Sequence, residues 1–188
     1  MATSQVIQRL KEGNERFTKD QLEHKLQDSQ RRSELTGGQE PFAIILSCAD
    51  SRVAPELTFD AGLGELFIVR VAGNVANTSS IASIEYAVAN LPVEVIVVLG
   101  HESCGAVTAA ANGGDNGYNL NHLLSHITPA LSATDEGADI ASVIKKNAEL
   151  TVEELKSRSS IIRDGISSGK IEVVPAYYNL GTGKVDFL

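Results

Sequence analysis

The stretch Val93-Glu94-Val95-Ile96-Val97-Val98-Leu99-Gly100-His101-Glu102-Ser103-Cys104 decides how this chain folds. Its first seven residues are apolar except Glu94, and most are β-branched. The run does not alternate, so both of its faces expect cover. That is the pattern of a strand inside a parallel sheet. Two shorter runs share the character, Phe42-Ala43-Ile44-Ile45-Leu46 and Leu66-Phe67-Ile68-Val69. Between the second and third runs, Ile81, Ile84, Ala87, Val88 and Leu91 recur at helical spacing. Asn77, Thr78, Ser79 and Ser80 offer N-caps ahead of them, and Pro92 closes the segment. Strand, helix, strand makes a βαβ unit. The fold class is therefore α/β, with a central, mainly parallel sheet flanked by helices.

Working outward, residues 3–35 are polar and helix-prone, with a loose stripe of Val6, Ile7, Leu10 and Phe17. They read as an N-terminal arm of one or two helices rather than a core element, ended by Gly37-Gly38. Beyond the third strand, Val107 to Ala111 begins a helix that Asn112-Gly113-Gly114-Asp115 breaks. Residues 119–131 and 138–166 are mainly helical. Lys170 to Tyr178 and Lys184 to Leu188 form a final hairpin around Gly181-Thr182-Gly183. No repeat, low-complexity stretch or linker divides the chain. Residues 1–188 are expected to form one domain, with 1–36 as the helical arm and 39–188 as the α/β core.

The 188 residues are enough for a substantial core. Acidic residues number 24 and basic ones 16, for a net charge of −8. The basic residues do not cluster beyond the pairs Arg31-Arg32 and Lys145-Lys146, which argues against a nucleic-acid partner. No apolar run approaches the roughly 18–20 residues needed to span a membrane. The N-terminus lacks the apolar stretch of a secretory signal, so a cytoplasmic location is expected. There are two cysteines. In a reducing compartment, such residues serve metal binding or chemistry more often than a disulfide.

Cys48 follows the first strand by two residues, His101 follows the third by two, and Cys104 lies three further on. Parallel α/β sheets place their sites beyond the carboxyl ends of strands. Adjacent strands are about 4.8 Å apart, so neighbouring ends can close around one ion. Two thiolates and an imidazole suit zinc, and three protein ligands leave one position open. Cys104 also stands near a helix start, where the dipole favours a thiolate. For each residue alone, the plainer alternative is a buried cysteine used as apolar filler, or a satisfied loop histidine. Asp50 and Arg52 at i, i+2 can form a charge-assisted, bidentate pair. The same residues also suit the approach to a helix beginning at Pro55-Glu56. His122 and His126 have the i, i+4 spacing that can hold zinc, but Leu123 stands where the metalloprotease pattern needs Glu. A surface helix is the preferred reading there. Glu85 is expected to meet a buried partner that the sequence does not name.

Four segments together resemble the β-class carbonic anhydrases: Cys48-Ala49-Asp50-Ser51-Arg52-Val53, Phe67-Ile68-Val69-Arg70-Val71-Ala72-Gly73-Asn74, Ile84-Glu85-Tyr86-Ala87-Val88 and Gly100-His101-Glu102-Ser103-Cys104-Gly105. The resemblance is densest from Gln39 to Ala110 and extends weakly to Tyr177-Tyr178 and Gly181 to Val185. It implies Zn2+ held by Cys48, His101 and Cys104, with Asp50 and Arg52 as the catalytic dyad. The implied reaction is reversible hydration of CO2 to bicarbonate and a proton through a zinc-bound hydroxide. It also implies a substrate pocket of Gln39, Phe67, Ala72, Tyr86 and the Gly105 backbone N–H. In some members the Asp binds zinc in a closed form, linked in several to a bicarbonate pocket containing tryptophan. This chain has no Trp, so the open form is expected. Family members pair through the helical arm and the sheet edge and build the pocket at that interface, implying a homodimer or larger homo-oligomer. Relatives on the same frame hydrolyse carbon disulfide or carbonyl sulfide. A non-catalytic zinc module is a further alternative, against which the Asp50–Arg52 pair argues. Ala82 and Pro175 depart from the family pattern without touching the metal.

Overall fold

In the computed structural model, which describes residues 3–188, five strands build one sheet. Met1 and Ala2, part of the expected arm, lie outside the described residues. The strands are β1 (Ala43–Ser47), β2 (Leu66–Arg70), β3 (Val95–His101), β4 (Glu172–Tyr178) and β5 (Val185–Phe187). The helices are α1 (Thr3–Thr18), α2 (Ser29–Glu34), α3 (Pro55–Thr58), α4 (Thr78–Asn90), α5 (Gly105–Asn112), α6 (Tyr118–Ser125), α7 (Thr128–Ser132), α8 (Ile140–Arg158) and α9 (Ser160–Ser167).

The strand order is β2-β1-β3-β4-β5. All pairings are parallel except β4 with β5, the expected C-terminal hairpin. Every residue of β1 and β3 is buried, as their unbroken apolar runs require. Successive side chains take opposite faces. Ile44, Leu46, Ile96 and Val98 pack with residues of α4, α8 and α9. Ala43, Ile45, Val95, Val97 and Leu99 form the core of the other face. A third buried group gathers Cys48 and Cys104 with residues of α5 to α8.

The polar signals act where their chemistry predicts. The Asn77 side chain caps α4 by accepting from Ser80 N, and Asp139 caps α8 by accepting from Ser142 N. Ser159 does two jobs. Its Oγ accepts from Ile162 N, which starts α9 and divides the helical stretch expected over 138–166 into two helices. It also donates to Glu85 Oε1 at 2.6 Å, so Ser159 is the partner Glu85 required.

α1 departs from the reading of its stripe. The N-terminal helix is present, but it is part of the core. Val6 and Leu10 are fully buried against Ile45 and Val97. One sheet face is covered by α4, α8 and α9, and α1 covers the other. Asn14 pins it there: its Nδ2 donates to Thr58 O and Gly183 O, and its Oδ1 accepts from Val185 N. Leu10→Ala is therefore expected to cost about 2–5 kcal/mol in denaturant unfolding, the range for a buried leucine. A detached arm would lose no more than about 0.5 kcal/mol.

The β2-β1-β3-β4 order reverses direction between β1 and β3. That is the switch point at which open α/β sheets bind their ligands.

Candidate metal centre

Three chain segments meet at this switch point. Cys48 follows β1, His101 is the last residue of β3, and Cys104 is the N-cap of α5. Their ligand atoms all lie within 4.8 Å of one another, and all three residues are buried. Among the described residues this is the one group of three or more such side chains placed to hold a metal ion. His122 and His126 form an edge-to-face ring pair with centroids 5.5 Å apart, and no third donor of this kind joins them.

The histidine presents one nitrogen to the cluster. His101 Nδ1 lies 2.8 Å from the Glu102 carbonyl oxygen. A carbonyl only accepts, so Nδ1 carries the proton and Nε2 offers its lone pair. Nε2 is buried with no hydrogen-bond partner, a condition it shares with Ser47 Oγ and the Asn74 amide. An unpaired buried polar atom is costly, and a cation between Nε2 and the two sulfurs removes that cost. The donor set fits a tetrahedral zinc ion with one exchangeable position.

The sulfurs are poised for a metal. The hydrogen bond from Cys104 pulls the Cys48 thiol down to about 4, against burial, with help from His101 and the Gly73 and Asp50 backbone N–H groups. Cys104 moves up in turn, because the Cys48 thiolate and burial both oppose a second negative charge. Burial pushes His101 down, but the Cys48 thiolate outweighs it and raises the imidazole. A bound cation would relieve the repulsion and let both sulfurs ionise.

Asp50 stands beside this cluster, its Oδ2 3.9 Å from His101 Nε2. Arg52 grips it on both oxygens, Nε to Oδ1 at 2.9 Å and Nη2 to Oδ2 at 2.8 Å, and Arg52 N donates to Oδ1 as well. The guanidinium holds the carboxyl well below the usual carboxylate range. Both readings of Asp50-Ser51-Arg52 hold: the bidentate pair forms, and the segment leads into α3, which begins at Pro55 with Ala54 as its N-cap.

Two contributors escaped the sequence reading. Arg70, at the end of β2, donates from Nε to Cys48 O at 2.9 Å and from Nη2 to Asp50 O at 2.6 Å. It thereby holds the loop that carries both residues. Gly73 donates its backbone N–H to Cys48 Sγ at 3.3 Å. Its φ of 70° is left-handed, and a Cβ there would meet Ile127 Cδ1 at 2.7 Å. The signal was an Arg ending a strand and a Gly three residues on, which local pattern alone does not connect to a sulfur.

The remaining expected pocket residues separate into two groups. Ala72 immediately precedes Gly73 and Gly105 immediately follows Cys104, so both adjoin the cluster. Gln39 precedes β1, at the opposite end of that strand from Cys48, so the whole strand, about 17 Å of extended chain, lies between them. Phe67 pairs in register with Ile44, three positions short of the strand end, and packs against the core there. Tyr86, on α4, is 55% exposed. One chain alone does not assemble Gln39, Phe67 and Tyr86 around its own cluster.

With the geometry in hand, comparison with known proteins gives a consistent result. The family model described as "Carbonic anhydrase" matches residues 43–185. The chain is 42% identical over 182 residues to carbonic anhydrase 2 of Mycobacterium tuberculosis, covering 93% of this chain and 87% of that protein. It is 40% identical over 184 residues to the carbonic anhydrase of Mycolicibacterium smegmatis, covering 94% and 89%. Among solved structures, the Coccomyxa β-carbonic anhydrase in complex with acetazolamide superposes with a TM-score of 0.79 at 28% identity, covering 86% of this chain and 78% of that one. One of two tetrameric β-carbonic anhydrases from Sordaria macrospora superposes with a TM-score of 0.75 at 28% identity, covering 84% and 85%. The chain belongs to the β-class carbonic anhydrase family, enzymes of the lyase class.

Proposed function

We propose that this chain catalyses the reversible hydration of CO2 to bicarbonate and a proton, with zinc held by Cys48, His101 and Cys104. The observation that carries this reading is the bidentate Asp50–Arg52 pair beside a buried Cys-His-Cys group whose histidine nitrogen lacks a partner. Zinc, when bound, supplies the acidity that makes water a nucleophile near neutral pH, an effect established for carbonic anhydrases.

The chain's own groups then set direction and order. Asp50 accepts the O–H of the attacking water and so turns an oxygen lone pair toward the substrate carbon. Arg52 keeps that carboxylate ionised, so Asp50 orients the water and does not take its proton at working pH. This pairing supports an open site, with Asp50 engaged by Arg52 rather than by metal. A zinc-loaded crystal showing Asp50 coordinated at neutral pH would contradict it. Gly105 N–H, at a helix start where donors lack intrahelical partners, is the proposed donor to a bicarbonate oxygen. Gln39 can do the same only from a second copy. Phe67, Tyr86 and Ala72 supply the apolar wall that a linear, uncharged substrate requires.

A homodimer or larger assembly follows from this division. The outer side of edge strand β2 has no partner strand, and Leu57 and Leu63 nearby are 46% and 42% exposed. Size-exclusion chromatography with light scattering is expected to give at least twice the chain mass, and a monomer at micromolar concentration would refute the shared pocket. Two buried cysteines without a disulfide suit a reducing cytoplasm. No helix among the described residues is long and apolar enough to cross a membrane.

Stopped-flow CO2 hydration by zinc-loaded protein, run beside carbon disulfide and carbonyl sulfide hydrolysis, tests the reaction. Hydration well above background at pH 8 is the expected result. Hydrolysis of the sulfur substrates without CO2 hydration would move the assignment to that related chemistry. Zinc binding with neither activity would make the chain a non-catalytic module.

A further inference from the structure

Helix α8 packs across β3 and β4 with a buried stripe of Val143, Ile144, Asn147, Ala148, Thr151, Val152 and Leu155. Asn147 is the one primary amide in that stripe and is 2% exposed. Burying an amide among apolar neighbours is unfavourable unless it is hydrogen-bonded. Its Nδ2 donates to the Gly73 carbonyl oxygen at 2.9 Å, across 74 positions of sequence. Gly73 is the residue whose own N–H meets Cys48 Sγ.

The glycine turn is held from several sides. Its left-handed φ admits no ordinary side chain, and Ile127 and Ala106 fill the space where a Cβ would stand. The carbonyl, however, can rotate about ψ unless something bonds it. Asn147 is the donor that does so. One turn earlier on the same helix face, Ile144 lies against Gly100, where a Cβ would come within 3.1 Å of Ile144 Cγ2. The helix that fixes the turn beside Cys48 therefore also abuts the strand end carrying His101.

We infer that Asn147 is a positioning residue for the metal centre: it locks the Gly73 turn so that the Gly73 N–H stays on the Cys48 sulfur. The inference rests on the metal reading above. An N–H donor to a ligating thiolate withdraws electron density from sulfur, weakens its donation and leaves the metal a stronger Lewis acid. Outer hydrogen bonds of this kind also fix the ligand's orientation, and their loss typically lowers metal affinity or activity by 10–100-fold.

The test uses the full-length chain loaded with zinc or cobalt(II), and two variants. Asn147→Ala removes the amide and leaves a cavity. Asn147→Leu removes it while keeping its approximate volume. Both are expected to bind zinc about 10–100-fold more weakly in chelator competition. In both, the thiolate-to-cobalt charge-transfer band should shift in energy, and the Gly73 amide should exchange hydrogen faster than in the parent. Val152→Ala, which trims the buried stripe of the same helix and spares the amide, should leave the band in place. A folded variant, filled or cavity-bearing, with parent affinity and an unshifted band would overturn the role of Asn147. Should the unsubstituted chain bind neither metal, the metal reading itself fails, a separate outcome from an unaltered variant.

Discussion

Cys104→Ser is expected to bind zinc at least about 100-fold more weakly than the parent chain, beyond the loss typical of outer partners alone. A serine hydroxyl at this position is a poor zinc ligand, because it does not ionise as a thiol can. Cys104 is fully buried at the N-cap of α5, so no water replaces its sulfur at small cost. The loss should appear in metal analysis after dialysis and in the cobalt spectrum, where thiolate charge-transfer intensity should fall by about half with one of two sulfurs gone. CO2 hydration should fall with occupancy. Full zinc content in this variant would remove Cys104 from the ligand set. The outer contacts of the centre, from His101 to the Glu102 carbonyl and from Gly73 N–H to Cys48, survive the substitution. The fold should therefore persist, and circular dichroism of the variant should match the parent.

Asp50→Asn is expected to keep its zinc and lose about 10²-fold in kcat/KM, the scale of a reactant held out of its productive geometry. The asparagine retains shape, so the effect is chemical. The amide has one acceptor where the carboxylate has two, and Arg52 already engages both oxygens of Asp50. The amide nitrogen also meets the guanidinium donor to donor, which turns the side chain out of place. Because Arg52 holds the Asp50 carboxyl well below the usual range, its charge is present throughout the neutral region. The sign is that of a depressed acid: the charged form is lost only as pH falls through the lowered value. The parent's pH–rate profile should therefore carry no Asp50 limb near neutrality. Arg52→Ala removes the cause and should move such a limb upward toward the ordinary aspartate value near 3.9. A near-normal rate in Asp50→Asn would refute the orienting role.

Sequence by itself determined the elements and the donors. Apolar runs over 42–46 and 93–99, the second broken only by Glu94, became the fully buried β1 and β3, because a run that does not alternate needs both faces covered, while the run 66–69 became the edge strand β2, which is only half-buried. Asn77 capped α4, and Cys48 and His101 fell at strand ends with Cys104 at the helix start just beyond, because capping and donor chemistry belong to single residues and short spacings. Tertiary structure alone decided the rest. The β2-β1-β3-β4 order put Cys48 beside His101 at the switch point, and parallel pairing leaves no local mark of which strand lies next to which. α1 became a cover for the sheet through Val6 and Leu10, since a loose amphipathic stripe does not say which surface it will meet. Ser159 with half-buried Glu85, and Asn147 with Gly73, are polar pairs each 74 residues apart. Periodicity records that a polar group is buried, and its partner is set by where the chain returns. The Cys-His-Cys group was therefore visible in the sequence as three ligands, while the supports that hold it came only with the fold.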